Sequence, residues 1–121
     1  MKWEFDNDRP IYVQLVENLK LAIITDVYKK GERMPSVRDL AMETKVNPNT
    51  MQKALSELET SGLVVAQRTS GRFVTESDTL IEECKNAFAT QQTKKYLMSM
   101  RKLGLSKEEM ISYLKREEIQ K

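Results

Sequence analysis

Apolar positions recur along this chain with two different periods, and the switches between them mark out its elements. From Pro10 onward the segment IYVQLVENLKLAIITDV places Tyr12, Leu15, Val16, Leu19, Ala22 and Ile23 at helical spacing, as one apolar stripe. Proline suits the first turn of such a helix, and Lys29, Lys30 and Gly31 close the segment. Ser36 with Asp39 three residues later has the form of a capping box, ahead of a helix SVRDLAMET that buries Val37, Leu40 and Ala41. A helix so short is unstable alone and must pack on its neighbours. Asn47-Pro48 then reads as an N-cap followed by a first helical residue, because proline's missing N–H costs nothing there. The helix NTMQKALSELETS turns Met51, Ala54, Leu55 and Leu58 inward and stops at Gly62.

After Gly62 the period shortens towards two. LVVAQR and RFVT read as strands joined by a TSG turn. From Ser77 the helical period returns in TLIEECKNAFATQQTKKYLMSMRKL, which Gly104 ends, and Ser106 with Glu109 caps a last helix, KEEMISYLKREE. Helix, helix, turn, helix, hairpin is the order of a winged helix-turn-helix. The expected fold is mainly α with a small β-hairpin: a winged helix-turn-helix DNA-binding domain over residues 1–76, then a short two-helix C-terminal dimerisation tail over 77–121.

Composition narrows this picture. With 121 residues, 40% hydrophobic and 31% charged, the chain affords a thin core and long solvated faces. No apolar run approaches the roughly 18 residues a membrane span needs. The opening MKWEFDNDRP lacks the apolar stretch of a signal peptide, and the lone Cys84 has no internal partner. A cytoplasmic protein with a reduced thiol is expected. The net charge of +2 is uninformative: up to Glu76 there are 11 Lys/Arg and 11 Asp/Glu, and beyond it 9 and 7. Any case for nucleic acid rests on local placement.

That placement is suggestive in three segments. The leading end of the third helix carries Asn47, Asn49, Thr50 and Gln52, and Asn or Gln matches the donor and acceptor on adenine's major-groove edge. Asn47 divides between capping the helix and reading a base. Lys53 and Ser56 follow within reach of phosphates, and Arg38 on the second helix suits the backbone or a guanine. No acidic residue lies between Asn47 and Ser56. The hairpin AQRTSGRFVT repeats the bias, with Arg68 and Arg72, no carboxylate, and a tip of Thr69, Ser70 and Gly71 for a phosphate or the minor groove. Each position alone reads more readily as an ordinary solvated surface. Together they present donors without acids.

The stretch MPSVRDLAMETKVNPNTMQKALSELETSGLVVAQRTSGRFV resembles the GntR family of bacterial regulators. Pro35, Ser36, Arg38, Leu40, Ala41, Val46, Thr50, Ala54, Leu55, Leu58, Glu59, Gly62, Leu63, Gly71, Phe73 and Val74 fit its signature. The likeness covers roughly residues 9–75, and RPIYVQLVENLKLAI is similar to the family's first helix. Larger members carry a C-terminal domain that binds a metabolite or folds like an aminotransferase; the short tail here resembles the YtrA-like branch, whose tail serves dimerisation. The resemblance implies DNA contact by Arg38, the start of the third helix and the wing tip. Many relatives have arginine where this chain has Pro48 and Gln52, which leaves the operator sequence open.

In the tail, Leu80, Ile81, Cys84, Ala87 and Phe88 form a stripe that Leu97, Met100 and Leu103 continue, and Met110, Ile111 and Leu114 add the last helix. The winged domain is too small to cover it all, so a two-fold interface is expected, with packing on the same chain as the alternative. A dimer would set two recognition helices about one DNA turn, or a simple multiple, apart. Met98, Met100 and Met110 suit core filling, or less often an adaptable ligand groove. With no histidine and one cysteine, no metal site of the usual kind and no cofactor are expected; Glu82 and Glu83 offer carboxylates alone. No catalytic constellation stands out, so the chain reads as a non-enzyme. The expected function is a sequence-specific DNA-binding regulator, a repressor, acting as a homodimer on a two-fold operator with no nameable effector. The alternative is a winged-helix module that binds protein.

Overall fold

A computed structural model describes residues 1–119. In chain order the elements are α1 (Ile11–Ile24), α2 (Val37–Thr44), α3 (Pro48–Thr60), β1 (Val64–Gln67), β2 (Gly71–Val74), α4 (Asp78–Lys102) and α5 (Lys107–Arg116). The chain divides into two compact units, Met1–Lys85 and Asn86–Lys121, so the first unit continues past Glu76 into α4.

The core of the first unit forms where α3 packs against α1, α2 and β1. Leu15, Leu19, Leu40, Met51, Ala54, Leu55 and Leu58 are wholly buried there, the inward stripes expected of three amphipathic helices. Local chemistry sets the helix ends. Ser36 Oγ accepts from the Asp39 N–H at 3.1 Å, and only this half of the anticipated capping box forms among the described residues. Lys45 stops α2 in the left-handed region, φ 58°, and its successor's N–H returns to the Ala41 carbonyl, which makes the tight turn into α3. Gly62, φ +84°, ends α3 as the C′ residue.

Gln14 lies wholly buried within α1, at a position the apolar stripe did not include. Its Oε1 accepts from the Asp6 N–H at 2.7 Å, and its Nε2 donates to the carbonyls of Asp6 and Arg9 at 2.9 and 2.8 Å. A buried amide with these bonds made is tolerated, and it straps the segment before α1 to the helix.

The two strands pair antiparallel, with Val65 opposite Phe73 and Gln67 opposite Gly71. Residues 31–34 add a further pairing on the free side of β2. Gly31 N–H donates to Val74 O at 3.0 Å, Val74 N–H to Glu32 O at 2.8 Å and Met34 N–H to Arg72 O at 2.8 Å, and Arg33 bridges Phe73. Gly31, read from the sequence as the last residue closing the first helical segment, thus begins an edge of the wing, and α1 itself ends at Ile24.

Leu80, Ile81 and Cys84, expected in a two-fold interface with packing on the same chain as the alternative, are partly buried against the core of their own chain. Contacts from distant parts of the sequence seat the start of α4. Gly62 leaves room for the Leu80 side chain, whose Cδ1 would lie 3.2 Å from any Cβ there, and Lys30 pairs with Asp78 at 2.6 Å at the start of α4. Burial pushes the Cys84 thiol pKa up, with Lys20 opposing, so the group stays a neutral core-edge thiol. In the second unit Met110 is buried at 3% exposure, while Leu103 and Leu114 are exposed and Phe88, Leu97 and Met100 half-buried. Ser106 and Glu109 close the capping box of α5 in both directions, at 3.2 and 3.0 Å, and the backbone bond from Ser106 holds the Glu109 carboxyl below its ordinary pKa.

Candidate nucleic-acid interface

The buried stripe of α3 decides what its other side shows. With Met51, Ala54, Leu55 and Leu58 inward, the side chains of Asn49, Gln52 and Lys53 are solvent-exposed and Thr50 and Ser56 half-exposed. This is the arrangement that lets a helix enter a major groove with its first turns nearest the base edges. Asn47 sits at the N-cap, where its Oδ1 accepts the Asn49 N–H at 2.8 Å. One lone pair of Oδ1 is thus committed to the helix, and its orientation is set by the cap, while the amide NH₂ is left for a partner outside. Gln52 Nε2 lies 3.4 Å from Ser56 Oγ, a weak bond that a better acceptor would replace.

Arg38 and Lys53 are exposed, and neither forms an ion pair among the described residues. Both charges are available to an anion. The hairpin tip, Thr69, Ser70 and Gly71, is exposed, with the Ser70 N–H turned back to Gln67 O at 3.2 Å. Arg72 departs from expectation. Its Nε donates to Glu59 Oε1 on α3, and its side chain is only 20% exposed. The hairpin lacks carboxylates in sequence, but the fold delivers one from α3, so Arg72 is a neutralised link between wing and helix.

Sequence reasoning also missed Arg33, which the edge pairing carries to the wing beside Gly71. The only available signal was its position two residues after Gly31, and nothing local indicated strand pairing. Among the described residues no group of three or more His, Cys, Asp or Glu could hold a metal ion, and no helix is long and apolar enough to cross a membrane.

The sequence model of the bacterial regulatory proteins of the gntR family matches residues 11–74, the span from α1 to the end of β2. The chain belongs to the GntR family. The HTH-type transcriptional regulator YhcF of Bacillus subtilis (strain 168) is 35% identical over 112 residues, covering 93% of each chain. The HTH-type transcriptional repressor YtrA of the same strain is 32% identical over 107 residues, 88% of this chain and 82% of its own. A solved GntR family transcriptional regulator from Listeria monocytogenes superimposes with a TM-score of 0.87 at 38% identity, covering 94% of this chain and 100% of that one. The GntR fold expected from the sequence is therefore the fold observed, down to the short tail. The chain is a DNA-binding transcription regulator of this family, not an enzyme.

Proposed function

We propose that this GntR regulator is a cytoplasmic repressor that binds a two-fold DNA operator as a homodimer. The observation that carries the reading is the outer face of α3: Asn49, Thr50, Gln52 and Lys53 stand on a helix anchored by four buried residues, with no acidic residue before Glu57. In this reading Asn49 and Gln52 meet base edges, with Thr50 beside them, while Arg38 and Lys53 hold phosphates. Asn47 contributes chiefly as the cap, and Thr69, Ser70 and Gly71 approach the minor groove or its flanking phosphates. The similarity to a named repressor, YtrA, supports the sign of regulation.

The tail beyond Phe88 supports the dimer. α4 is 25 residues long with none of them buried, and Leu103 and Leu114 are 73% and 56% exposed. Phe88, Leu97, Met100, Leu103 and Leu114 gain cover from a second copy related by a two-fold axis. Residues 1–85 then act as the DNA-binding part and the remainder as the dimerisation part.

Selection of bound duplexes from a random pool, with sedimentation of the protein alone and with DNA, tests this. The expected result is an inverted repeat bound by two chains. A folded protein that enriches no sequence overturns the reading and favours a protein-binding winged helix, and one that binds as a monomer overturns the dimer.

A further inference from the structure

We propose that Arg33, rather than Arg72, joins the exposed Arg68 of the hairpin turn as a cation with which the wing holds DNA phosphate, and that Arg72 is a positioning residue that fixes the wing to α3. This rests on the reading of the chain as a DNA-binding regulator and names a contact within it.

Register brings Arg33 to the wing. It stands opposite Phe73 in an antiparallel bridge, and in such a pair the residue two positions along, Gly71, is its diagonal neighbour on the same face. Gly71 has φ +96° and no side chain, and a Cβ built there would lie 3.3 Å from Arg33 Nε and 3.5 Å from Nη2. The space beside the glycine is therefore occupied by the guanidinium, which lies against the start of β2 just after the exposed tip.

Charge separates the two arginines. Arg72 is mostly covered and bonded to Glu59, so its charge is already met inside the protein. Arg33 is exposed, and no carboxylate lies within ion-pair distance among the described residues. A cleft of about 510 Å³ is lined, among others, by Arg33, Ser36, Asp39, Gly71 and Arg72. Asp39 is the acidic side chain in it, and among the described residues it forms no ion pair with either arginine, which leaves the Arg33 guanidinium without a carboxylate bonded to it. A guanidinium fork beside backbone with no side chain, next to a tip free of acids, is suited to a phosphodiester.

The test is a titration of the pool-selected duplex, and of a scrambled one, against salt concentration. Arg33→Ala is expected to weaken both duplexes alike, by on the order of tenfold at low salt, and to lower the salt slope by about one. Arg33→Lys keeps the slope. Arg72→Gln keeps the slope as well, since that charge is not offered to DNA, while its melting temperature falls with loss of the Glu59 bond. Should Arg33→Ala fail to fold, Arg33→Gln, which preserves the stem, is read in its place. An unchanged slope for Arg33→Ala in a wild-type protein that binds, or a slope lost with Arg72 and not Arg33, overturns this assignment alone. A wild-type protein that enriches no DNA overturns the reading beneath it, and this assignment with it.

Discussion

Two helices of similar composition have opposite fates in this molecule. α3 has 13 residues and buries Met51, Ala54, Leu55 and Leu58 completely, while α4 has 25 and buries none. α3 gathers its apolar residues on one side, whereas those of α4 are spread around the helix. The difference is supply: α3 has α1, α2 and β1 against its inward face, whereas among the described residues the hydrophobics that α4 packs on its own chain's core are Leu80, Ile81 and Cys84. A helix whose apolar side is satisfied within its own unit can offer its other side to a ligand. One whose apolar residues remain uncovered is suited to a second protein surface. In the proposed function this contrast separates the recognition element from the assembly element.

That contrast can be broken most directly in the α3 core. Leu55→Ala removes a fully buried side chain and should lower the stability of the first unit by about 2–5 kcal/mol, read by denaturant unfolding. A loss below about 1 kcal/mol would show that α3 is not anchored as described.

On the outer side of the same helix the effects should fall on binding instead. Gln52→Ala is expected to cost about 1–3 kcal/mol on the selected operator and little on other duplexes. Lys53→Ala should weaken all sequences alike and flatten the salt dependence. Identical behaviour of the two variants in the same titrations would defeat the division between base and phosphate contacts.

Gly62→Ala probes the place where the two helices come closest in character. It forces a side chain into a left-handed residue and against Leu80, for an expected loss of about 1–2 kcal/mol in thermal or denaturant unfolding. Unfolding at wild-type stability would mean that the start of α4 is not seated on the core.

The smallest effect on folding is expected in α4. Leu103→Ala trims a side chain that is 73% exposed and should alter unfolding by no more than about 0.5 kcal/mol at concentrations where the protein is monomeric. The same variant should raise the dissociation constant of the dimer in sedimentation equilibrium. A large stability loss in the monomer would place Leu103 in an intramolecular core and remove it from the interface.

Periodicity, caps and glycines were enough to read most of this fold. The α3 stripe, the Asn47 cap, the Gly62 stop and the Ser106–Glu109 box each depend on neighbours within a few residues, and each is where the local rules put it. The candidate interface was legible to the same depth, since Asn49, Gln52, Lys53 and Arg38 follow from which side of a helix is inward. The pairing of Arg72 with Glu59 was not legible, because the carboxylate comes from another element. Neither was the strap made by Gln14, a polar residue whose burial depends on the backbone of Asp6 and Arg9 folding over it.

By itself, then, the order of residues determined the helices, their inward faces, the hairpin and the polar set at the start of α3. These are set by contacts close along the chain and by which side chains water rejects. Tertiary structure alone decided that Arg72 of the wing is paired with a carboxylate from α3, that residues 31–34 pair with β2, and that Leu80, Ile81 and Cys84 pack against their own core. Those outcomes depend on which distant groups meet, and hydrogen-bond and charge partners far apart in sequence leave no periodic trace in it.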